Sequence, residues 1–96
     1  MTHATPRPPQ PSISLEVTFR DGRAMAAYLR IGGAHGAVRR CVELDDVVVD
    51  LDEHGALVGI EMLSPSRVTA EQIDAILAER GFGPIDPAIL EPLRAA

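Results

Sequence analysis

VVVDLDEHGALVGIEML, residues 47–63, consists of two apolar runs, Val47 to Leu51 and Leu57 to Leu63, around a polar tip, Asp52-Glu53-His54-Gly55. Val47, Val48, Val49, Val58 and Ile60 are β-branched and suit a pleated, half-buried surface. Gly55 stands where a hairpin tip needs a residue at positive φ, which glycine adopts at almost no cost. The stretch therefore predicts a β-hairpin. A register with Leu51 facing Ala56 pairs Val49 with Val58 and Val47 with Ile60, and gathers these apolar side chains on one side. Val48, Asp50, Gly59 and Glu61 then share the other side, which keeps both carboxylates out of the core. A one-residue bulge at Gly55 would change that partition, because side chains alternate with period two.

Upstream, Ile13, Leu15, Val17 and Phe19 alternate with Ser14, Glu16 and Thr18, the pattern of a strand with one buried face. Asp21-Gly22 is a turn signal and predicts a second hairpin. A two-residue loop pairs Phe19 with Ala24 and puts Arg30 opposite Ile13. A three-residue loop, Asp21 to Arg23, pairs Phe19 with Met25, Leu15 with Leu29 and Ile13 with Ile31. The second register keeps the apolar face intact and is the expected one. Tyr28 and Arg30 then share the opposite face with Glu16. GGAHG, residues 32–36, reads as a connection that leaves His35 in solvent. Ala37 to Leu44 predicts a third strand, with Val38, Arg40, Val42 and Leu44 on one side and Arg39, Cys41 and Glu43 on the other. Asp45-Asp46 makes the corner into the 47–63 hairpin.

After Leu63 the period changes. Thr69-Ala70-Glu71-Gln72 is a capping box, Val68 and Ile73 are placed for a hydrophobic staple, and Gly81 closes the helix. Ala70, Ile73, Ile76 and Leu77 form its apolar stripe. Asp86-Pro87 begins a short helical turn that Pro92 should stop, with Ile85, Ile89, Leu90 and Leu93 packing it down. The expected fold is α+β: an antiparallel β-sheet of about five strands, two hairpins plus one strand, with one C-terminal α-helix packed on one face. Residues 1–11, with four prolines, read as a disordered lead-in; 12–96 form a single domain. Within it, 12–63 make the sheet, 69–80 the helix and 82–96 a tail with its short helical turn.

Ninety-six residues suffice for one modest core, and with only three aromatics that core is aliphatic. The net charge of −5 argues against a nucleic-acid partner. Residues 1–40 hold six arginines against two acids, and 41–96 hold three against twelve, so strands from the two halves are expected to compensate each other. Cys41, the only cysteine, has no partner for an internal disulfide and reads as a small, partly buried hydrophobe. No run approaches membrane-spanning length, and the N-terminus lacks the apolar region of a secretory signal, which makes the cytoplasm the expected compartment.

Ala27-Tyr28-Leu29-Arg30-Ile31, followed by VVVDLDEHGALVGIEMLSPS, resembles the bacterial family called domain of unknown function 2283 over about residues 17–66. Asp50, Asp52, Gly55, Gly59, Glu61 and Leu63 fall on its pattern, while Arg23 and Met25 stand where many members carry acids. The resemblance implies a small strand-rich fold in a family with no established activity, so it assigns no functional residue.

Asp50-x-Asp52-x-His54-Gly55, with Glu61 in twelfth position, approaches a calcium-loop pattern. Such a loop needs flanking helices to bring the twelfth-position carboxylate back to the ion. In an extended hairpin Glu61 lies roughly 16 Å from the tip. Asp50, Asp52, His54 and Glu61 remain candidate ligands of a weak divalent-metal site. Asp46, Asp50 and Glu61 could cluster on the exposed sheet face, where Arg30, Arg39 or Arg40 would neutralise them. No order of Ser, His and Asp, no Cys-x-x-Cys and no phosphate loop occurs, so no catalytic residue and no cofactor is expected. Val48, Tyr28, Leu57 and Leu63 would leave the second sheet face partly apolar, and a twofold dimer is the commonest cover. The leading expectation is a non-catalytic homodimeric interaction module; the alternative is a weak metal- or ligand-binding domain at 50–61.

Overall fold

A computed structural model describes residues 12–32, 37–38 and 40–94; the lead-in 1–11, His35 and Arg39 lie outside the described residues. Five strands, β1 (Ile13–Arg20), β2 (Arg23–Ile31), β3 (Arg40–Leu44), β4 (Val47–Leu51) and β5 (Leu57–Met62), form one antiparallel sheet in the order β1-β2-β5-β4-β3. One helix, α1 (Ala70–Glu79), follows a 3₁₀ turn at Pro65–Arg67 and precedes a 3₁₀ segment at Pro87–Arg94. The fold is α+β, as the two hydrophobic periods require.

Both hairpins keep their predicted strands but differ in register. At the first, Ile13 pairs with Ile31 and Leu15 with Leu29 as expected, yet Phe19 pairs with Ala24. The loop is the two-residue Asp21-Gly22, with both residues at positive φ, 52° and 77°. A bulge beside Phe19 absorbs the extra residue. The turn is tight and Ile13, Leu15 and Val17 keep one face, while Phe19 and Met25, expected to pair on it, are each 49% exposed.

In the 47–63 hairpin, Val49 pairs with Ile60 and Val47 with Met62, two residues away from the expected register. The tip explains the first step. The Gly55 N–H donates to the Asp52 carbonyl at 3.1 Å, and Gly55 takes φ +77°, a three-residue loop rather than the expected four. A bulge at Val58 supplies the second step, since Leu51 pairs with Leu57 but Asp50 with Gly59. Leu57, Ile60 and Met62 consequently all face the core, and Val58, expected there, does not join it.

The core is one cluster of sheet residues (Leu29, Val49, Leu51, Ile60 and Met62 among them) with Ile73, Ile76 and Leu77 of α1 and Ile85, Leu90 and Leu93 of the tail. Pro92 does not stop the tail, whose 3₁₀ segment continues to Arg94. Ladder bonds in a 3₁₀ segment are few and poor, so a missing N–H costs less than in an α-helix.

The ends of α1 are as the sequence specifies. The Gln72 N–H donates to Thr69 Oγ1 at 3.2 Å and the Thr69 N–H to Gln72 Oε1 at 2.8 Å. At the other end the Gly81 N–H donates to the Ala78 carbonyl and the Phe82 N–H to the Leu77 carbonyl, with Gly81 at φ +81°. Thr69→Ala is expected to cost about 1 kcal/mol, read as a lower urea midpoint with unchanged slope. No helix of the described residues is long and apolar enough to cross a membrane.

Candidate functional site

The outer face of the sheet, opposite the core, carries a polar array that begins with a missing side chain. Gly59 on β5 lies between Arg30 of β2 and Asp50 of β4. A Cβ at this position would overlap the Tyr28 hydroxyl and ring edge, so only glycine lets the ring lie across β5. Crossing it, the Tyr28 hydroxyl donates to Asp50 Oδ2 at 3.0 Å. From the other side Cys41 Sγ, on β3, donates to Asp50 Oδ1 at 3.1 Å. Asp50 is only 6% exposed, and each of its oxygens has a donor. Three strands, β2, β4 and β3, are tied together through one carboxylate, with β5 crossed by the ring at Gly59.

Arg30 extends the array outward. Its guanidinium lies 5.3 Å from the Tyr28 ring centroid and 3.6 Å from Glu16, on the face where the sequence places all three. The only arginine–carboxylate pair among the described residues therefore joins two residues of the first half, not the basic half to the acidic half. Asp50 is satisfied by neutral donors instead of the expected arginines.

Burial first, then the hydrogen bond and charge of Asp50, push the Tyr28 phenol up to about 12. The same carboxylate, accepting the S–H, raises the Cys41 thiol above its ordinary value. Cys41 is exposed rather than partly buried as expected, so its environment is set by Asp50 and not by packing. The thiolate is the nucleophile, and this arrangement suppresses it. Cys41 is accordingly expected to alkylate more slowly than a free thiol at the same pH, and several-fold faster in Asp50→Asn; equal rates would disprove the coupling.

Asp52 serves the tip. Its Oδ1 accepts the N–H groups of His54 at 2.8 Å and Ala56 at 2.9 Å, and these bonds, Ala56 first, hold its carboxyl below the usual range. His54 is exposed and its Nε2 lies 3.4 Å from Glu53. Glu61 is exposed on β5, opposite Tyr28 and Val48. Among the described residues no three His, Cys, Asp or Glu side chains form a group that could hold a metal ion. The four candidate ligands thus do separate things: Asp50 ties strands, Asp52 shapes the tip, and His54 and Glu61 face solvent. A concavity of about 350 Å³ elsewhere, walled by Ile31, Leu57, Arg80 and Phe82, has no carboxylate in its lining.

The Tyr28–Asp50–Cys41 array was not legible as a site. Its one sequence signal is Gly59 inside an otherwise strand-forming run, where glycine marks a close approach. Leu57 turns to the core and Val58, buried but outside the core cluster, takes its place, leaving Tyr28 and Val48 half-buried and Leu63 exposed on or beside the outer face.

Residues 21–66 match the model of a family described as a protein of unknown function, DUF2283. The match includes Tyr28, Asp50, Asp52, Gly55 and Gly59, and leaves out α1 and the tail. No curated protein and no solved structure matches the chain.

Proposed function

We propose that this chain, which matches the DUF2283 family model over residues 21–66, is a non-catalytic interaction module that works as a pair of identical copies. The observation that carries this reading is the inner face of β3. The stripe of α1 and the tail are too narrow for five strands, so Val42 is only half-buried and Leu44 is 42% exposed at the mouth of an apolar groove beside α1. An uncovered apolar margin on so small a sheet is the usual mark of an association surface. The non-catalytic part is supported by the outer array, where both Asp50 oxygens already accept hydrogen bonds from the chain and the Cys41 thiol is raised above its ordinary value. Engagement of Asp50 and Asp52 by donors of the chain itself favours this reading over a divalent-ion site. Analytical ultracentrifugation of the full chain at tens of micromolar is expected to give twice the chain mass; a clean monomer at high micromolar would sink the proposal.

A further inference from the structure

The sheet has two outer strands, β1 and β3. The inner face of β1 is packed by the C-terminal 3₁₀ segment, whereas the inner face of β3 borders the uncovered groove. β3 is short and carries Arg40 and Glu43, but it has no proline and no bulge against β4, so its outer backbone groups stay in ladder geometry. The two-residue corner Asp45-Asp46 closes on the pair Leu44–Val47, so Leu44, Val42 and Arg40 direct their backbone groups toward β4. The N–H and C=O of Cys41 and Glu43 then point outward. A second copy of the strand, antiparallel with Val42 opposite Val42, sets Cys41 opposite the partner's Glu43 and offers matching groups at both positions.

The same register fits the side chains. Arg40 falls opposite the partner's Leu44, on the inner face, where the groove of about 240 Å³ is lined by Leu44, Asp45, Val47, Ile76 and Glu79. Arg40, Asp45 and Glu79 make no ion pair among the described residues, so each copy brings an unmatched cation to the other copy's unmatched acids. A five-residue ladder alone is short of the roughly 1,200 Å² that stable pairs bury, so the pairing also needs the groove beside α1 and the surface around it.

Resting on the paired-copy reading above, we infer that two copies join edge to edge through β3, antiparallel about a twofold axis at Val42, with Arg40 and Leu44 of each copy closing the groove of the other. Glu43→Pro removes an outward N–H and leaves the β3–β4 ladder intact, and Leu44→Asp puts a charge at the groove mouth. In sedimentation of the full chain, each is expected to raise the dimer dissociation constant at least tenfold with an unchanged circular dichroism spectrum. Arg40→Glu should weaken pairing and Glu79→Arg added to it should restore it, while Leu63→Asp, away from β3, should have no effect. If the proline and aspartate variants stay fully dimeric, β3 is not the interface although the pairing of copies stands. If the unmodified chain is monomeric, both fall together.

Discussion

Gly59→Ala is expected to destabilise the protein by roughly 2–4 kcal/mol, far more than a single methyl group in a strand ordinarily costs. Alanine is the better strand residue by about 0.5–1 kcal/mol, so propensity alone predicts a gain. Two larger effects oppose it. The new Cβ overlaps the Tyr28 hydroxyl and ring edge, and overpacking of this kind costs about 1–3 kcal/mol. Displacing the ring also strips Asp50, 6% exposed, of its phenol donor, and an unsatisfied buried acceptor costs about 1–3 kcal/mol. The two partly overlap, since relief of the first causes the second. Against a total stability of about 5–15 kcal/mol the loss is large. A double-mutant cycle with Tyr28→Ala, followed by urea unfolding, isolates the cause: in the Tyr28→Ala background Gly59→Ala should cost little. A single-mutant loss below about 0.5 kcal/mol would show that the ring does not depend on the gap.

The contrast between what could and could not be read from the sequence runs through the same residue. The strands, the Thr69–Gln72 capping box and the Gly81 stop are local: each rests on residues within a few positions of one another, and each is where the pattern puts it, except that β3 begins at Arg40 and not at Ala37. The register of the 47–63 hairpin is not local. It is two residues off because a three-residue tip and a bulge at Val58 act together, and only that combination sets Gly59 between Arg30 and Asp50 with Met62 in the core. Alternation counts apolar side chains but does not register the space an absent one leaves. The Tyr28–Asp50–Cys41 array needs in addition the adjacency of β2 and β5, which no hairpin pattern contains. Pro92 departs from expectation for a related reason: proline's cost in an α-helix does not carry over to a 3₁₀ segment anchored by Leu90 and Leu93 on either side of it.

The positions that carry the family resemblance acquire structural tasks in this light. Asp52 and Gly55 shape the tip, Asp50 collects donors from two strands, and Gly59 makes room for Tyr28. A signature of acids and glycines, which resembles a metal loop on paper, here encodes a hairpin and the strands laid against it. The matched segment 21–66 contains β2 to β5, while α1, which forms the other wall of the groove beside β3, lies beyond it.

Tyr28 is the only tyrosine in a chain without tryptophan, so phenolate absorbance reports on it alone. Titration is expected to show a midpoint near 12 instead of the ordinary 10, because burial and then the Asp50 carboxylate both disfavour a second negative charge there. The folded state therefore holds the phenolic proton more tightly than the unfolded chain does. Its contribution to stability is complete below pH 10, where both states are protonated, and is lost as pH rises from the unfolded value toward about 12. Unfolding monitored by circular dichroism should accordingly shift to lower urea concentration across that interval, an effect absent from Tyr28→Phe. Asp50→Asn removes the charge but not the burial, so its midpoint should fall part of the way back toward 10. A wild-type midpoint at the ordinary value would mean the phenol is solvated, and with it the bridge from β2 to β4 across Gly59 would be lost; an unshifted Asp50→Asn midpoint would leave burial as the sole cause.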